Sequence, residues 1–263
     1  MAVVDAHAHI YPTKIAAKAA QSVADFYTLP IYGEGSGQHL IDACAGSPIT
    51  HFLVHSVAVK ASTVESINNF IAEQCAMHPE FIGFAAMHQD YEDVEAEVER
   101  AISLGLHGFK IHPDTQACNI DDPRFMRLYE IIEGRLPIVI HTGDYRYDYS
   151  HPRRLAKVLQ AFPNLVVDAT HLGGWSIFDI GYDWLKNENC FVDLSSCLHW
   201  MGARRLLEFI DLYGADRVMF GSDYPLFNPV GELEPLLNDA VSDEVFEKIT
   251  WHNVERFAGV TIE

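Results

Sequence analysis

The sequence predicts a single α/β domain, a closed (β/α)8 TIM barrel, on the basis of three observations. Eight short apolar runs rich in β-branched residues recur along the chain. Segments with helical periodicity separate the runs, and no two runs are close enough for a hairpin, so the connections should be parallel crossovers. A length of 263 residues suits one such barrel or two smaller domains, but no linker or internal repeat divides the chain. We therefore expect one domain over 1–263.

The predicted strands lie at intervals that leave room for a helix. They span approximately 3–8, 51–57, 82–87, 107–111, 137–141, 165–169, 190–194 and 217–221. Helical signatures occur over 64–77, 93–104, 123–133, 152–162 and 203–213. Pro123 and Pro152 lie at the first position of two of these helices, and Gly105 and Gly214 follow two others as C-caps.

A long connection follows the first predicted strand. Its segment at about 28–48 is rich in glycine and proline. Connections of this kind cross the surface and often carry function. We interpret the segment as an excursion over the mouth of the barrel, serving either as a substrate lid or as a plain surface loop.

The charge balance limits the classes of partner. The chain has 18 Lys and Arg against 37 Asp and Glu, a formal net charge of −19. Nucleic-acid phosphates and anionic membrane surfaces repel such a chain, so we expect neither as a partner. The five cysteines lack CxxC spacing, and no apolar run reaches the ~18 residues of a membrane span. We expect a cytoplasmic protein that acts on a small molecule.

His7 and His9 are the first candidate functional residues. Residues two apart on a strand point to the same face, so both imidazoles can bind one metal ion. The same pair could also be two histidines on a solvated strand face. The remaining strand ends therefore have to decide between a metal site and a chance pair.

Polar side chains recur where the later predicted strands end, which in this fold is the active face. Lys110 and His112 end the fourth strand, and His141 ends the fifth. His171 ends the sixth and Asp223 the eighth. Each could singly be a core, rim or turn residue, but their joint occurrence at one face indicates a shared site.

Three imidazoles and one carboxylate suit one divalent ion, zinc in the first place or manganese. The predicted ligands are His7, His9, His141 and Asp223. Such an ion lowers the pKa of a bound water, so that hydroxide is available near neutral pH. Asp223 is predicted to take the proton of that water and pass it to the leaving group. His171 is predicted to hydrogen-bond the water or to polarise the substrate.

Four further residues are predicted to bind the substrate or to support the ligands: Lys110, His112, Arg146 and Trp175. If carboxylated by carbon dioxide, Lys110 could instead bridge two metal ions, but we favour a single ion. The loop that contains Arg146, together with Trp175, could wall a flat carbon skeleton. Packing of these aromatic residues away from any ligand is the alternative.

The motifs, taken in order, resemble those of the amidohydrolase superfamily. Within it they are similar to the amidohydrolase-2 branch, which is related to aminocarboxymuconate semialdehyde decarboxylase. The resemblance covers nearly the whole chain, including a closing helix near 251–257. It rests on these segments: Asp-Ala-His-Ala-His, Gly-Phe-Lys-Ile-His-Pro, Ile-His-Thr-Gly, His-Leu-Gly-Gly and Phe-Gly-Ser-Asp-Tyr-Pro.

The resemblance implies a mononuclear, zinc-like site with the same four ligands and His171 as the catalytic histidine. The branch contains hydrolases of lactones or amides and also non-oxidative decarboxylases. Decarboxylases of the resorcylate type often have Glu-x-His in the first motif, whereas this chain has His7-x-His9. This difference points away from the resorcylate type but not from the semialdehyde decarboxylase, which also has His-x-His. Hydrolysis needs only a carbonyl on the metal and an attacking hydroxide. The leading hypothesis is a metal-dependent hydrolase of a small organic acid, lactone or amide.

Two alternatives stay open at this stage. The first is a decarboxylase of the same architecture, and the second is a barrel that binds a ligand without catalysis. The resemblance also implies that a homodimer would be ordinary for such a protein.

Overall fold

The computed structural model describes residues 2–237 and 240–262. Its strands follow the predicted apolar runs to within a few residues, and all of the ladders are parallel. The strands are β1 (Val3–His9), β2 (Ile49–His55), β3 (Phe81–Gly83), β4 (Ala85–Ala86), β5 (Phe109–Ile111), β6 (Ile138–Ile140), β7 (Val167–Ala169), β8 (Phe191–Asp193) and β9 (Val218–Met219).

The third predicted run, 82–87, forms two short strands rather than one. β3 pairs with β2, whereas β4 pairs with β5. The change of partner occurs at Phe84, whose N–H donates to Val54 O at 2.9 Å. The next N–H, that of Ala85, donates to Gly108 O at 2.8 Å. β3 and β4 therefore act as one barrel strand that pairs with β2 on one side and β5 on the other, so the barrel has eight strand positions.

Hydrogen bonds between the first and last strands close the barrel. The N–H of Ala6 donates to Phe220 O at 2.8 Å, and the N–H of His9 donates to Tyr224 O at 2.7 Å. The sheet consequently has no free edge between β9 and β1. The predicted (β/α)8 TIM barrel is confirmed.

Helices cover the outside of the barrel. The five predicted helices are found within a few residues of their expected bounds, although the last begins earlier, at Leu198, and is interrupted at Gly202, where φ is 70°. No helix in the described residues is both long and apolar enough to cross a bilayer. The helices are α1 (Ala16–Tyr27), α2 (Gly37–Ala43), α3 (Val64–Met77), α4 (Val94–Ser103), α5 (Pro113–Gln116), α6 (Pro123–Ile132), α7 (Pro152–Ala161), α8 (Phe178–Leu185), α9 (Leu198–Tyr213), α10 (Pro229–Leu233), α11 (Asp243–Glu247) and α12 (Asn253–Ala258).

Apolar side chains fill the end of the barrel interior at which the strands begin. Val4 and Ala6 of β1 pack there with Phe84 and with Phe257 of α12. The rings of Phe84 and Phe257 are stacked, with their centroids 5.7 Å apart. The closing helix thus plugs the bottom of the barrel.

The segment 28–48 packs against the barrel domain. It contains α2, whose side chain Leu40 is fully buried in the main hydrophobic core. Ser36 caps this helix by accepting the N–H of His39. Gly33 lies against the ring of Tyr224, where any Cβ would clash. The segment is therefore a packed structural element.

Candidate active site

A cavity of about 460 Å³ opens at the end of the barrel where the strands finish. Its volume lies within the range of about 300–1,000 Å³ that is usual for small-molecule sites. The side chains of 28–48 do not line it, and the role of that segment, as a lid or as a surface loop, stays a prediction. The polar lining includes four histidines and one carboxylate: His9, His112, His141, His171 and Asp223.

His7 and His9 point into this end of the barrel from β1. The pairing of β1 with β2 is irregular between Asp5 and Ala8. Val4 and Ala6 occupy the apolar interior, so the irregularity changes the alternation and lets His7 face inward as well. The Nε2 atoms of the two imidazoles are 3.3 Å apart. The predicted pair therefore shares one face.

Asp223 lies beside this pair, just beyond β9. Its Oδ1 is 3.6 Å from His7 Nε2 and 3.5 Å from His9 Nε2. Its backbone is left-handed, with φ 63°, a conformation that aspartate tolerates better than most residues. Burial raises the pKa of its carboxyl to about 7, although the Ser196 hydroxyl, which donates to Oδ2, opposes that rise.

His141 and His171 are in contact at the polar end of the cavity, which is formed by His9, His112, His141, His171 and Asp223 and is called the floor below. His141 Nδ1 and His171 Nε2 are 3.0 Å apart, and His141 also stacks on His112 with ring centroids 4.0 Å apart. Burial holds the pKa of His141 and His112 well below the usual histidine value, and it lowers that of His171 to about 4. These imidazoles are therefore neutral near pH 7, as metal ligands must be.

Asp193, at the end of β8, organises the histidines but was not among the predicted site residues. Its Oδ2 is 2.7 Å from His7 Nδ1, and its Oδ1 accepts the N–H of His171 at 2.8 Å. The hydroxyl of Ser195 also donates to Oδ1, at 2.6 Å. Because neutral His7 donates through Nδ1, its Nε2 carries the lone pair, which faces His9, Asp223 and the Nζ of Lys110. Asp193 could have been found from the sequence, because it is a carboxylate at the end of a predicted strand.

Lys110 is buried beneath the floor, next to the predicted ligands. Its Nζ is 3.3 Å from His7 Nε2, and only 1% of the residue is exposed. Burial lowers the pKa of its ammonium to about 8, while the charges of nearby aspartates oppose this effect. Lys110 does not line the cavity, so its position supports the ligands and does not offer a surface for the substrate.

Arg146 and Trp175 lie behind the cavity wall and do not touch the cavity. The Arg146 guanidinium is held by both carboxylate oxygens of Asp144 and by Phe26 O. Trp175 is buried and packs edge-on against Tyr27, with ring centroids 4.7 Å apart. Both residues pack against Tyr27, which agrees with the packing alternative, and a role of either residue toward the substrate stays a prediction.

Tyr27, the last residue of α1, is a lining residue that the sequence patterns missed. Its hydroxyl is 2.6 Å from His112 Nε2 and 3.3 Å from His141 Nε2. It joins the outer helix to the histidine floor. The sequence patterns also missed His55, the last residue of β2. It is fully buried, and neither of its ring nitrogens has a hydrogen-bond partner among the described residues. Its ring lies edge-on to the rings of His7 and His9.

The donor set around His7 fits a divalent metal ion. Three potential ligand atoms, His7 Nε2, His9 Nε2 and Asp223 Oδ1, lie 3.3–3.6 Å from one another. Bonds of about 2.1 Å to a tetrahedral ion place ligand atoms about 3.4 Å apart. The neutral imidazoles and the buried carboxylate match this chemistry, and His141 lines the same cavity.

Comparison with known families gives one match over almost the entire chain. The family model described as "Amidohydrolase" matches residues 4–259. This range includes every polar strand end described above, from His7 to Asp223.

Similar proteins of known activity include decarboxylases. A gamma-resorcylate decarboxylase of Polaromonas sp. strain JS666 is 24% identical over 247 residues, covering 73% of this chain and 75% of that protein. The structure of a 2,6-dihydroxybenzoate decarboxylase with 2,6-dihydroxybenzoate has a TM-score of 0.74 at 18% identity, covering 99% of this chain and 100% of that one.

A dihydroxybenzoic acid decarboxylase of Polaromonas sp. JS666, with bound manganese and the inhibitor 2-nitroresorcinol, has a TM-score of 0.75. It is 18% identical and covers 98% of this chain and 97% of its own.

Proposed function

This chain belongs to the amidohydrolase family and is an enzyme, and we propose that it is a metal-dependent decarboxylase of a small hydroxylated aromatic acid. The relatives named above support the reaction class, since each is a decarboxylase of a dihydroxybenzoic acid. The proposal replaces the hydrolase that the sequence favoured. The His7-x-His9 motif pointed away from decarboxylases of the resorcylate type, yet one relative is itself a gamma-resorcylate decarboxylase.

The observation that carries the proposal is the separation of polar and apolar lining in the cavity. The histidines and Asp223 form one end, while apolar side chains form most of the remainder. A carboxylate that enters such a cavity loses hydration, and this loss disfavours the charged group. Release of neutral carbon dioxide removes that charge, so the environment favours the loss of the carboxylate over its retention.

One divalent transition-metal ion would be held by His7, His9, His141 and Asp223. When bound, such an ion supplies positive charge to substrate oxygens and so fixes the acid group at the floor. Zinc stays a prediction from the sequence, and manganese is bound in the related decarboxylase. Asp193 keeps His7 in the tautomer that leaves Nε2 free for the ion.

We assign proton delivery to Asp223 and substrate orientation to His171. The Asp223 carboxyl opens to the cavity, with 8% of the residue exposed. Its Oδ1 is the oxygen beside His7 and His9, so Oδ2 would carry the proton and give it to the ring carbon that bears the carboxylate. The bond from that carbon to the carboxylate then breaks, its electron pair returns to the ring, and carbon dioxide leaves. Solvent restores the proton on Asp223. His171, held by Ser195 O at 2.9 Å from its Nδ1, presents Nε2 to this floor.

A panel of acids, lactones and amides tests the reaction class. The metal-loaded protein, prepared separately with zinc and with manganese, is incubated with each compound while carbon dioxide and hydrolysis products are quantified. We expect carbon dioxide from 2,6-dihydroxybenzoate or a related hydroxylated acid. Hydrolysis of a lactone or amide, with no carbon dioxide from any acid, would overturn the proposal in favour of the hydrolase.

A matched pair of variants separates the chain's own activity from a contaminant. His171→Asn should lose carbon dioxide release, because the amide cannot replace the imidazole at the floor. His107→Asn changes a histidine that does not line the cavity and should retain the activity. Equal activity in the two variants would refute the role assigned to His171.

A further inference from the structure

One wall of the cavity is formed by an evenly spaced row of side chains along α1. Ile15, which caps the start of α1, and Ala19, Val23 and Tyr27 within it follow one another at every fourth residue, and all four line the cavity. This spacing places them on one face of the helix. Tyr27 reaches the histidine floor, so the other three form the wall between the floor and the mouth.

A second helix and the loop before it form another part of the wall. Ile67 and Phe70 of α3 line the cavity, and so do Val57 and Val59 of the preceding loop. Ile15 and Val59 are also among the most exposed large apolar residues, at 51% and 53%. The route from solvent to the floor is therefore bordered by apolar side chains.

The lining offers no positive charge to a ligand at this outer end. Among the described residues that line the cavity there is no lysine or arginine. Lys14 and Lys18 neighbour or belong to α1, and Lys60 follows Val59, yet none of the three lines the cavity. A second anionic group on a ligand, held away from the floor, would consequently be desolvated with only neutral hydroxyls, those of Ser22, Thr63 and Ser66, as partners.

We propose that this apolar wall, formed by α1 and α3, selects aromatic acids that carry an alkyl substituent on the side of the ring opposite the carboxylate, and that it rejects acids with a second charged group there. The inference rests on the proposed function in one respect: the acid is taken to bind with its carboxylate at the floor and the opposite side of its ring toward the mouth. Ile67 and Val23 are the specificity-determining residues, because each contributes an apolar side chain to the cavity lining, one from α3 and one from α1.

The expected effect follows from the burial of apolar surface. Each methylene moved from water into an apolar site improves binding by about fourfold. Since the wall is distant from the reacting carbon, the gain applies equally to ground and transition states and lowers KM without raising kcat.

Calorimetry with unreactive ligands measures this preference without any turnover. The metal-loaded protein is titrated with benzoate and with its 4-methyl, 4-ethyl and 4-propyl derivatives, and then with benzene-1,4-dicarboxylate. We expect Kd to fall by about fourfold per added carbon, and the dicarboxylate to bind at least tenfold more weakly than 4-ethylbenzoate. Constant or rising Kd along the alkyl series would overturn the inference.

A charge placed on the wall should invert the preference. Ile67→Lys should bind the dicarboxylate more tightly than 4-ethylbenzoate, since its long side chain can bring an ammonium to the distal carboxylate. Ile102→Lys is the matched control, because Ile102 is an exposed α4 residue outside the cavity lining. If Ile67→Lys retained the wild-type order, the wall would not be the selective element.

The two proposals fail in different ways. Alkyl-dependent binding without carbon dioxide from any hydroxylated acid would contradict the proposed reaction and uphold the specificity. Carbon dioxide release with no alkyl dependence of Kd or KM would uphold the reaction and contradict the specificity.

Discussion

The barrel interior has two ends, and one strand contributes to both. At the lower end of β1, Val4 and Ala6 pack with Phe257. At its upper end, His7 and His9 bring two ring nitrogens within 3.3 Å of each other. Burial of apolar side chains at the lower end stabilises the folded state. Burial of polar groups at the upper end destabilises it unless these groups are hydrogen-bonded or paired. The comparison teaches that stability and chemistry are divided along a single strand and can be tested separately.

The largest effect is expected from a change at the polar end. Asp223→Asn removes the acid assigned to proton delivery while keeping the side-chain shape, so the rate of carbon dioxide release should fall by about 10²–10⁴-fold. The melting temperature should not fall, because the amide avoids a buried charge. Steady-state assays and thermal melts measure the two quantities.

Asp183→Asn is the control for this substitution, since Asp183 lies on the exposed surface of α8 and, among the described residues, pairs only with Lys186. Near-wild-type activity of Asp223→Asn would remove Asp223 from the mechanism.

A change at the apolar end should do the opposite. Phe257→Ala removes a ring that packs against Phe84 and Phe191, so the free energy of unfolding should fall by about 3–5 kcal/mol. The activity per folded molecule should be unchanged. Denaturant titration measures the stability, and Tyr145→Ala, at a residue 67% exposed, should alter it by less than about 0.5 kcal/mol. Loss of activity in folded Phe257→Ala would show that the two ends are not independent.

A smaller effect should follow from weakening the support of His7. Asp193→Asn removes the carboxylate that lies 2.7 Å from His7 Nδ1, so the affinity for a divalent ion should fall by about 10–100-fold. Competition with a chelator of known affinity measures this change. An unchanged affinity, with normal folding, would mean that the tautomer of His7 does not depend on Asp193.

The smallest effect concerns a buried carboxyl on α10. Burial raises the pKa of Glu232 to about 8 from its ordinary 4.5, with the charges of Asp223 and Asp5 acting in the same direction. The unfolded chain therefore releases this proton at lower pH than the folded chain, and stability should fall as pH rises between about 4.5 and 8. Glu232→Gln should melt above wild type at pH 9 but not at pH 5. Equal pH dependence in the two proteins would contradict the buried, neutral carboxyl.

The sequence predicted the barrel and the polar strand ends because both follow from local patterns. Alternation and spacing located the strands, and this fold makes the residues at the ends of its strands converge. His7, His9, His141, His171 and Asp223 were found in this way, and the structure brings them to one end of the barrel. The roles of these residues as ligands and catalysts remain proposals.

What the patterns missed depends on contacts between distant segments. Tyr27 enters the site only because α1 packs across the strand ends, where its hydroxyl meets His112. The glycines and prolines of 28–48 did not indicate that the segment contains a helix whose Leu40 is buried in the core. Trp175 is an aromatic residue of the kind that often lines a substrate site, but it packs against Tyr27 on the side away from the cavity. Composition alone does not show which side of a wall faces the ligand.

The most direct test of the proposed reaction is to carry it out in deuterium oxide. The metal-loaded protein is incubated with 2,6-dihydroxybenzoate, and the product is analysed by NMR and by mass. We predict 1,3-dihydroxybenzene with one deuterium on the carbon that carried the carboxylate, in amounts equal to the carbon dioxide released, and no product from Asp223→Asn. Recovery of every hydroxylated acid unchanged, while the same preparation hydrolyses a lactone or an amide, would contradict the account.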